Sequence, residues 1–185
     1  MRSTGARWKR LFGREAVPEG VAAGLGADEH VVTQAALAGG GHLVVTSWGL
    51  WLPEEPPRRL GWDEIAKAAW NSGTLEVTAS TAREVSGPGT VVLTDQRPRR
   101  YRLDEPGKVP QAVHERVTGS IRSRSHRDLP GGGAWVLQRK VPGRDGLILQ
   151  IHPDPGTDPD AVERLAVGVA ARIGGDDAGP PTGSG

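Results

Sequence analysis

Five histidines, at positions 30, 42, 114, 126 and 152, are the side chains best suited to proton transfer or metal ligation near neutral pH. They are scattered, with no HxH or HExxH spacing that would put two imidazoles on one face. Asp154, Asp158 and Asp160 are spaced somewhat like the start of a calcium loop, yet the glycine and closing glutamate that such a loop needs are not at their offsets. Capping of a helix that begins near residue 159 accounts for these aspartates. The chain contains no cysteine, which excludes disulfides, thiolate metal sites and a cysteine nucleophile. Gly24-Leu25-Gly26 lacks the third glycine and the preceding strand of a dinucleotide loop, and neither GxxxxGK(S/T) nor GxSxG occurs. The expectation is a protein with no catalytic residues, no metal and no cofactor.

Arginine carries what chemistry remains. The formal net charge is only +1, but the charge is sorted along the chain: +5 over residues 1–14, −7 over 15–96, +8 over 97–144 and −5 over 145–185. Arg97, Arg99, Arg100 and Arg102 fall in one strand-like region. Further on, alternation places Arg122, Arg124 and His126 on one face of a strand, and Arg139 and Lys140 can join them from the next. An arginine-rich sheet face suits bidentate contacts to phosphate. The competing expectation is that these arginines pair with the acids of residues 15–96. Tyr101 is the only aromatic residue inside the arginine runs, too few for a base-stacking platform.

Six tryptophans stand beside one phenylalanine and one tyrosine. Trp48 and Trp51 lie three apart in a strand-like segment, so alternation predicts opposite faces, one ring in the core and the other open to a ligand. Core filling is the main expectation, and a paired aromatic contact site is the alternative. The N-terminal stretch that ends in RWKRLFGR carries five basic residues within the first fourteen, worth roughly 5 kcal/mol at most near an anionic membrane. Alone, that is a marginal and reversible contact. No apolar run suggests a secretory signal or a transmembrane helix, so a cytoplasmic protein is expected. Arginine outnumbers lysine 19 to 4, the codon bias of a high-GC, actinobacterial type of genome.

These residues must be positioned by elements that read as short strands and two helices. Strand patterns cover 30–37, 42–47, 48–52, 74–79, 90–94 and 99–103, with Gly39-Gly40-Gly41 and the prolines at 53, 56 and 57 as breaks. Residues 62–70 allow either a short helix capped by Asp63 or a turn followed by a strand. Val109, Val113 and Val117 recur every four residues in a helix that starts near Pro110 and stops at Gly119. Strands at 120–127, 134–141 and 147–152 follow, and then a helix from Pro159 to Ile173 with Gly174-Gly175 as its stop. Segregated strands and helices predict an α+β fold, mainly antiparallel β. The division expected is a tail and linker over 1–27, a first unit over 28–118, a βββα unit over 119–174 and a tail over 175–185. With 27 glycines and 15 prolines, many at the ends, both tails are expected to be disordered.

The segment LVVTSWGLWLPEEPPRRLGWDEIAKAAW resembles the bacterial pleckstrin-homology-like family. In that family a strand of the type "vlTxxgLxl" precedes a basic-apolar strand that ends in a PW/PYxEI motif. Thr46, Gly49, Leu50 and Leu52 match the first part, and Arg59, Leu60, Gly61, Trp62, Glu64 and Ile65 match the second. The resemblance covers residues 28–118, with TVVLTDQRPRRYRL and the helix at 109–118 as the last strands and closing helix of a barrel. It implies turn plus strand for residues 63–70, and a binding or scaffold module more than an enzyme. Lipid-binding members carry lysine and arginine in the first two strands, whereas residues 30–52 contain neither, so phosphoinositide binding is not implied. The function expected is therefore a non-enzymatic binding or scaffold protein that acts on a protein partner. The alternative is weak binding of nucleic acid or another polyanion through residues 97–144.

Overall fold

Leu43-Val44-Val45-Thr46 does not alternate because both faces of its strand are covered. The computed structural model describes residues 16–85, 89–143 and 145–176. In it this strand is the second of an antiparallel meander: β1 (Val31–Ala36), β2 (His42–Thr46), β3 (Gly49–Leu52) and β4 (Arg58–Gly61). Leu43 and Val45 join the main core with Leu50, Leu52, Leu60 and Trp62, while Val44 packs on the opposite side with Trp51.

A single 3-10 turn, Trp62–Glu64, carries the chain out of this meander, with Glu64 accepting a hydrogen bond from the Gly61 amide at 2.6 Å. It leads into β5 (Ile65–Asn71), β6 (Thr74–Glu84), β7 (Thr90–Asp95) and β8 (Arg99–Arg102). Residues 63–70 thus take turn plus strand, and the hairpin after them has positive φ at both Ser72 (46°) and Gly73 (81°), as a type I′ turn requires. The long β6 serves two neighbours. Its first part, Thr74–Val77, pairs with β8, and its second part, Ser80–Glu84, pairs with β7. Leu103, just after β8, bridges Leu37, and the Ala38 amide donates to Arg102 O at 3.0 Å, which curls the two sheets into a half-barrel. Helix α2 (Val109–Gly119) lays Val109, Val113 and Val117 against β5, β1 and β2 and closes one end.

Beyond α2, β9 (Ile121–Leu129), β10 (Gly132–Lys140) and β11 (Leu147–Pro153) form an antiparallel meander, and α3 (Pro159–Asp176) closes the chain. β11 runs parallel to β7, so the second sheet reads β5-β6-β7-β11-β10-β9. The fold is α+β, mostly antiparallel, with a curled half-barrel sheet and a C-terminal helix. Residues 119–174 are stitched to the first unit by backbone hydrogen bonds along β7, in addition to side-chain packing. Their own core joins Val92, Ala134 and Ile151 to Val162 and Ala166 of α3.

Two segments differ from the expectation. Residues 16–27, expected as a linker, hold helix α1 (Glu19–Gly24), whose Val21 is buried and packs with Val44 and Trp51. Val17, Val21 and Leu25 recur every four residues, a stripe too short to register as a periodic pattern. At the other end α3 continues through Gly174 and Gly175 to Asp176. The basic stretch 1–15 and residues 177–185 lie outside the described residues. Among those described, no helix is long and apolar enough to cross a membrane.

The α1 arm is held close to the meander by its glycines. A Cβ on Gly26 would lie 2.2 Å from the Trp48 ring. Gly26→Ala is therefore expected to lift the arm and cost about 1–3 kcal/mol, read as a drop in the thermal unfolding midpoint. A midpoint unchanged by the substitution would show that the arm is not seated there.

Candidate binding groove

The expected arginine face is divided by the tertiary structure. Arg99 pairs with Glu54, and Arg100 Nε lies 2.8 Å from Glu76 Oε2. Both partners come from the acidic block, as the competing expectation had it. Arg139 is a correction, because it is 3 % exposed and belongs to no surface. At its end of β10 the sheet is covered by α2 and by the start of β5. Its Nη1 donates to the carbonyls of Asp63 (3.1 Å) and Ile65 (3.2 Å), and its Nη2 to Val117 O (3.2 Å). Gln150 Nε2 donates to the same Asp63 carbonyl at 2.9 Å. Burial pulls the Arg139 pKa below its ordinary value, and the charge of Asp63 opposes that shift. Arg139 is the polar weld between the half-barrel and the second unit. Arg97, Arg122, Arg124 and Lys140 remain exposed, and Arg124 sits over the Trp135 ring at 5.5 Å.

Trp48 and Trp51 are not split to opposite sides. Trp48 lies in the bend before β3, where strand alternation does not apply. The Arg59 guanidinium stacks on both rings, 5.2 Å from the Trp48 centroid and 5.6 Å from that of Trp51. Behind Arg59 is Glu29, whose side chain is fully buried. Its carboxylate pairs with Arg59 and accepts from Thr46 Oγ1 (2.5 Å), Trp51 Nε1 (3.0 Å) and the Gly26 amide (3.1 Å). Burial works against ionisation, but these hydrogen bonds and the Arg59 charge outweigh it and hold the Glu29 carboxyl below its ordinary pKa. The two rings are thus filled by the protein's own groups. Glu29 had no sequence signal beyond being an acid ahead of a strand.

On the outer end of the second sheet, His126, Trp135 and His152 lie side by side across β9, β10 and β11. His126 Nε2 is 2.7 Å from Asp154, and His152 Nε2 is 2.9 Å from Asp95 Oδ1, which also accepts from Ser80 Oγ at 2.7 Å. The order Ser80–Asp95–His152 puts the carboxylate in the middle. A nucleophilic serine needs the imidazole there, in contact with the hydroxyl.

The opposite face of the same sheet carries a groove of about 520 Å³ between α3 and strands β9 and β10. α3 rests on β7 and β11 and reaches Ala134 of β10, leaving the Val136–Gln138 end of β10 and the Ser123–Arg127 stretch of β9 open beside it. Val136, Leu149, Leu165 and Val169 make an apolar floor. Arg127, Arg164 and Arg172 stand along its sides, and no acidic residue among those described lines it. Glu163 of α3 is turned toward Arg83, at 2.6 Å. The nearest carboxylate to Arg164 is that of Asp158, at 3.8 Å. Comparison with protein-family models, curated proteins and solved structures gives no match for this chain. Sequence reasoning missed the groove because it followed Arg122, Arg124 and His126 on one face of β9. Ser123, Ser125 and Arg127 line the groove from the other face. The readable signal was a second stripe on α3, Arg164, Leu165, Gly168, Val169 and Arg172, beside the one that is buried.

Proposed function

We propose that this chain is a non-enzymatic, cytoplasmic binding or scaffold module with a pleckstrin-homology-like half-barrel, which acts through protein contacts. Four strands, then three more paired as β5-β6-β8, and a helix across one end support the resemblance carried by Thr46, Gly49, Trp62 and Ile65. The observation that carries the reading is the apolar-floored groove beside α3. Apolar surface gathered in a concave, solvent-open site marks a place where another molecule is buried.

The alternative, a weak polyanion binder, is supported by Arg97, Arg122 and Lys140, which are exposed and have no ion pair among the described residues. Photo-crosslinking in the producing cells separates the two readings. A benzoylphenylalanine in place of Ser125, in the groove, is expected to give protein adducts that Gly168→Glu abolishes. The same group at Arg122, on the other face, is expected to give none with nucleic acid. Absence of protein adducts at 125, or nucleic-acid adducts at 122, would overturn the protein-binding reading.

A further inference from the structure

We infer that the groove accepts an acidic amphipathic helix of a partner protein, laid beside α3 over β9 and β10; this rests on the protein-binding reading above. Neighbouring strands lie about 4.8 Å apart and packed helices about 8–10 Å apart, so one helix covers about two strands. The β7-β11-β10-β9 part of the sheet is four strands wide; α3 lies on β7 and β11 and reaches Ala134 of β10. The strip left open, Ser123 to Arg127 of β9 with Val136 and Gln138 of β10, gives one more helix a place beside α3 in the same layer. Gly168 lies where the two helices would meet, and a Cβ built on it has nothing within 4 Å. A second backbone can therefore approach α3 closely at this point.

Charge sets the chemistry of the occupant. Arg127 and Arg172 are exposed and have no ion pair among the described residues, and the Arg164 side chain is 70 % exposed. Together they offer three guanidinium forks to carboxylates flanking an apolar stripe. Segments of this chain outside the described residues do not fit. Residues 1–15 carry five bases against one acid, and residues 177–185 contain no leucine, isoleucine, valine or phenylalanine. A second copy presenting the same face would set arginine against arginine. Nucleic acid would satisfy the arginines but leave the floor without a partner, because among the described residues the groove has no aromatic ring on which a base could stack.

The test uses the full chain and three labelled, alanine-rich helical peptides of roughly fifteen residues. One has leucines at i, i+3, i+4 and i+7 flanked by glutamates, one has the same leucines flanked by lysines, and one has the glutamates with the leucine order scrambled. Fluorescence anisotropy is expected to show the first binding at least about tenfold tighter than either control. Gly168→Glu, which fills the groove and reverses its charge in an exposed helical position, is expected to remove that preference. Arg127→Glu with Arg172→Glu is expected to do the same, with the thermal midpoint unchanged in each variant. Equal binding of the lysine or scrambled peptide, no binding of the first peptide, or binding indifferent to Gly168→Glu overturns the inference. A crosslinked partner at position 125 that is basic or extended also overturns it, while leaving the protein-binding reading intact. Nucleic-acid adducts, or none, remove that reading itself.

Discussion

Arg139→Leu is expected to destabilise the protein by about 4 kcal/mol, lowering its unfolding midpoint by roughly 12 °C. The cost comes from what the leucine leaves behind. The carbonyls of Asp63, Ile65 and Val117 lose the donors that satisfy them inside the protein, and leucine fills only part of the space of the guanidinium. Arg139→Lys keeps the charge but not the fork, and one ammonium cannot reach carbonyls on three sides, so it should lie between leucine and wild type. Thermal melts followed by circular dichroism decide the matter. Melts of wild type and Arg139→Leu that coincide within about 1 °C would mean that the weld carries no stability. Because Arg139 ties the 62–65 turn and the end of α2 to β10, hydrogen exchange should quicken at those segments before it does so in β2.

The second large effect is expected at the other buried charge. Glu29→Gln is expected to cost about 3 kcal/mol at neutral pH, since it leaves Arg59 without its counter-charge between two tryptophan rings. Its pH dependence has a definite sign. The folded-state pKa of Glu29 lies below the ordinary 4.5, so the unfolded chain takes up a proton before the folded one does. The stabilisation is therefore complete above that ordinary value and is lost as the pH falls through the lowered one. The gap in midpoint between wild type and Glu29→Gln should be constant through neutral pH and close on acidification. A gap that survives unchanged into acid would falsify the account of Glu29 as an ionised latch. Tryptophan fluorescence gives a second readout, because release of Arg59 changes the surroundings of Trp48 and Trp51 together.

Both residues show where reading residues in order runs out. Arg139 looked able to join the face of Arg124 and His126 from the next strand, and β10 does lie beside β9, with Leu137 opposite Arg124 and Trp135 opposite His126. Whether such a face is open depends on what the chain places over it, and α2 with the 62–65 turn covers one end and not the other. Trp135, two residues from Leu137 on the same face, stays exposed while Arg139 is buried. Arg99 and Arg100 found Glu54 and Glu76 across the fold. The charge blocks suggested such pairing, but only the β6–β8 register set Arg100 opposite Glu76.

Alternating and unbroken apolar runs, glycine and proline breaks and the valines of α2 were enough to determine most strands, two of the three α-helices among the described residues and the α+β class. Those signals are local, because a strand or helix must bury one side wherever it ends up. The tertiary structure alone decided that β11 would lie parallel to β7, that the α1 arm would be pinned over two tryptophans, and that α3 would cover β7, β11 and one end of β10 and leave β9 and the rest of β10 open. Each of these depends on contacts between residues far apart in the chain, whose burial energy no local pattern records. The near-neutral total of charge is settled in the same way: some arginines are spent inside the fold, and those beside α3 face outward around an apolar floor.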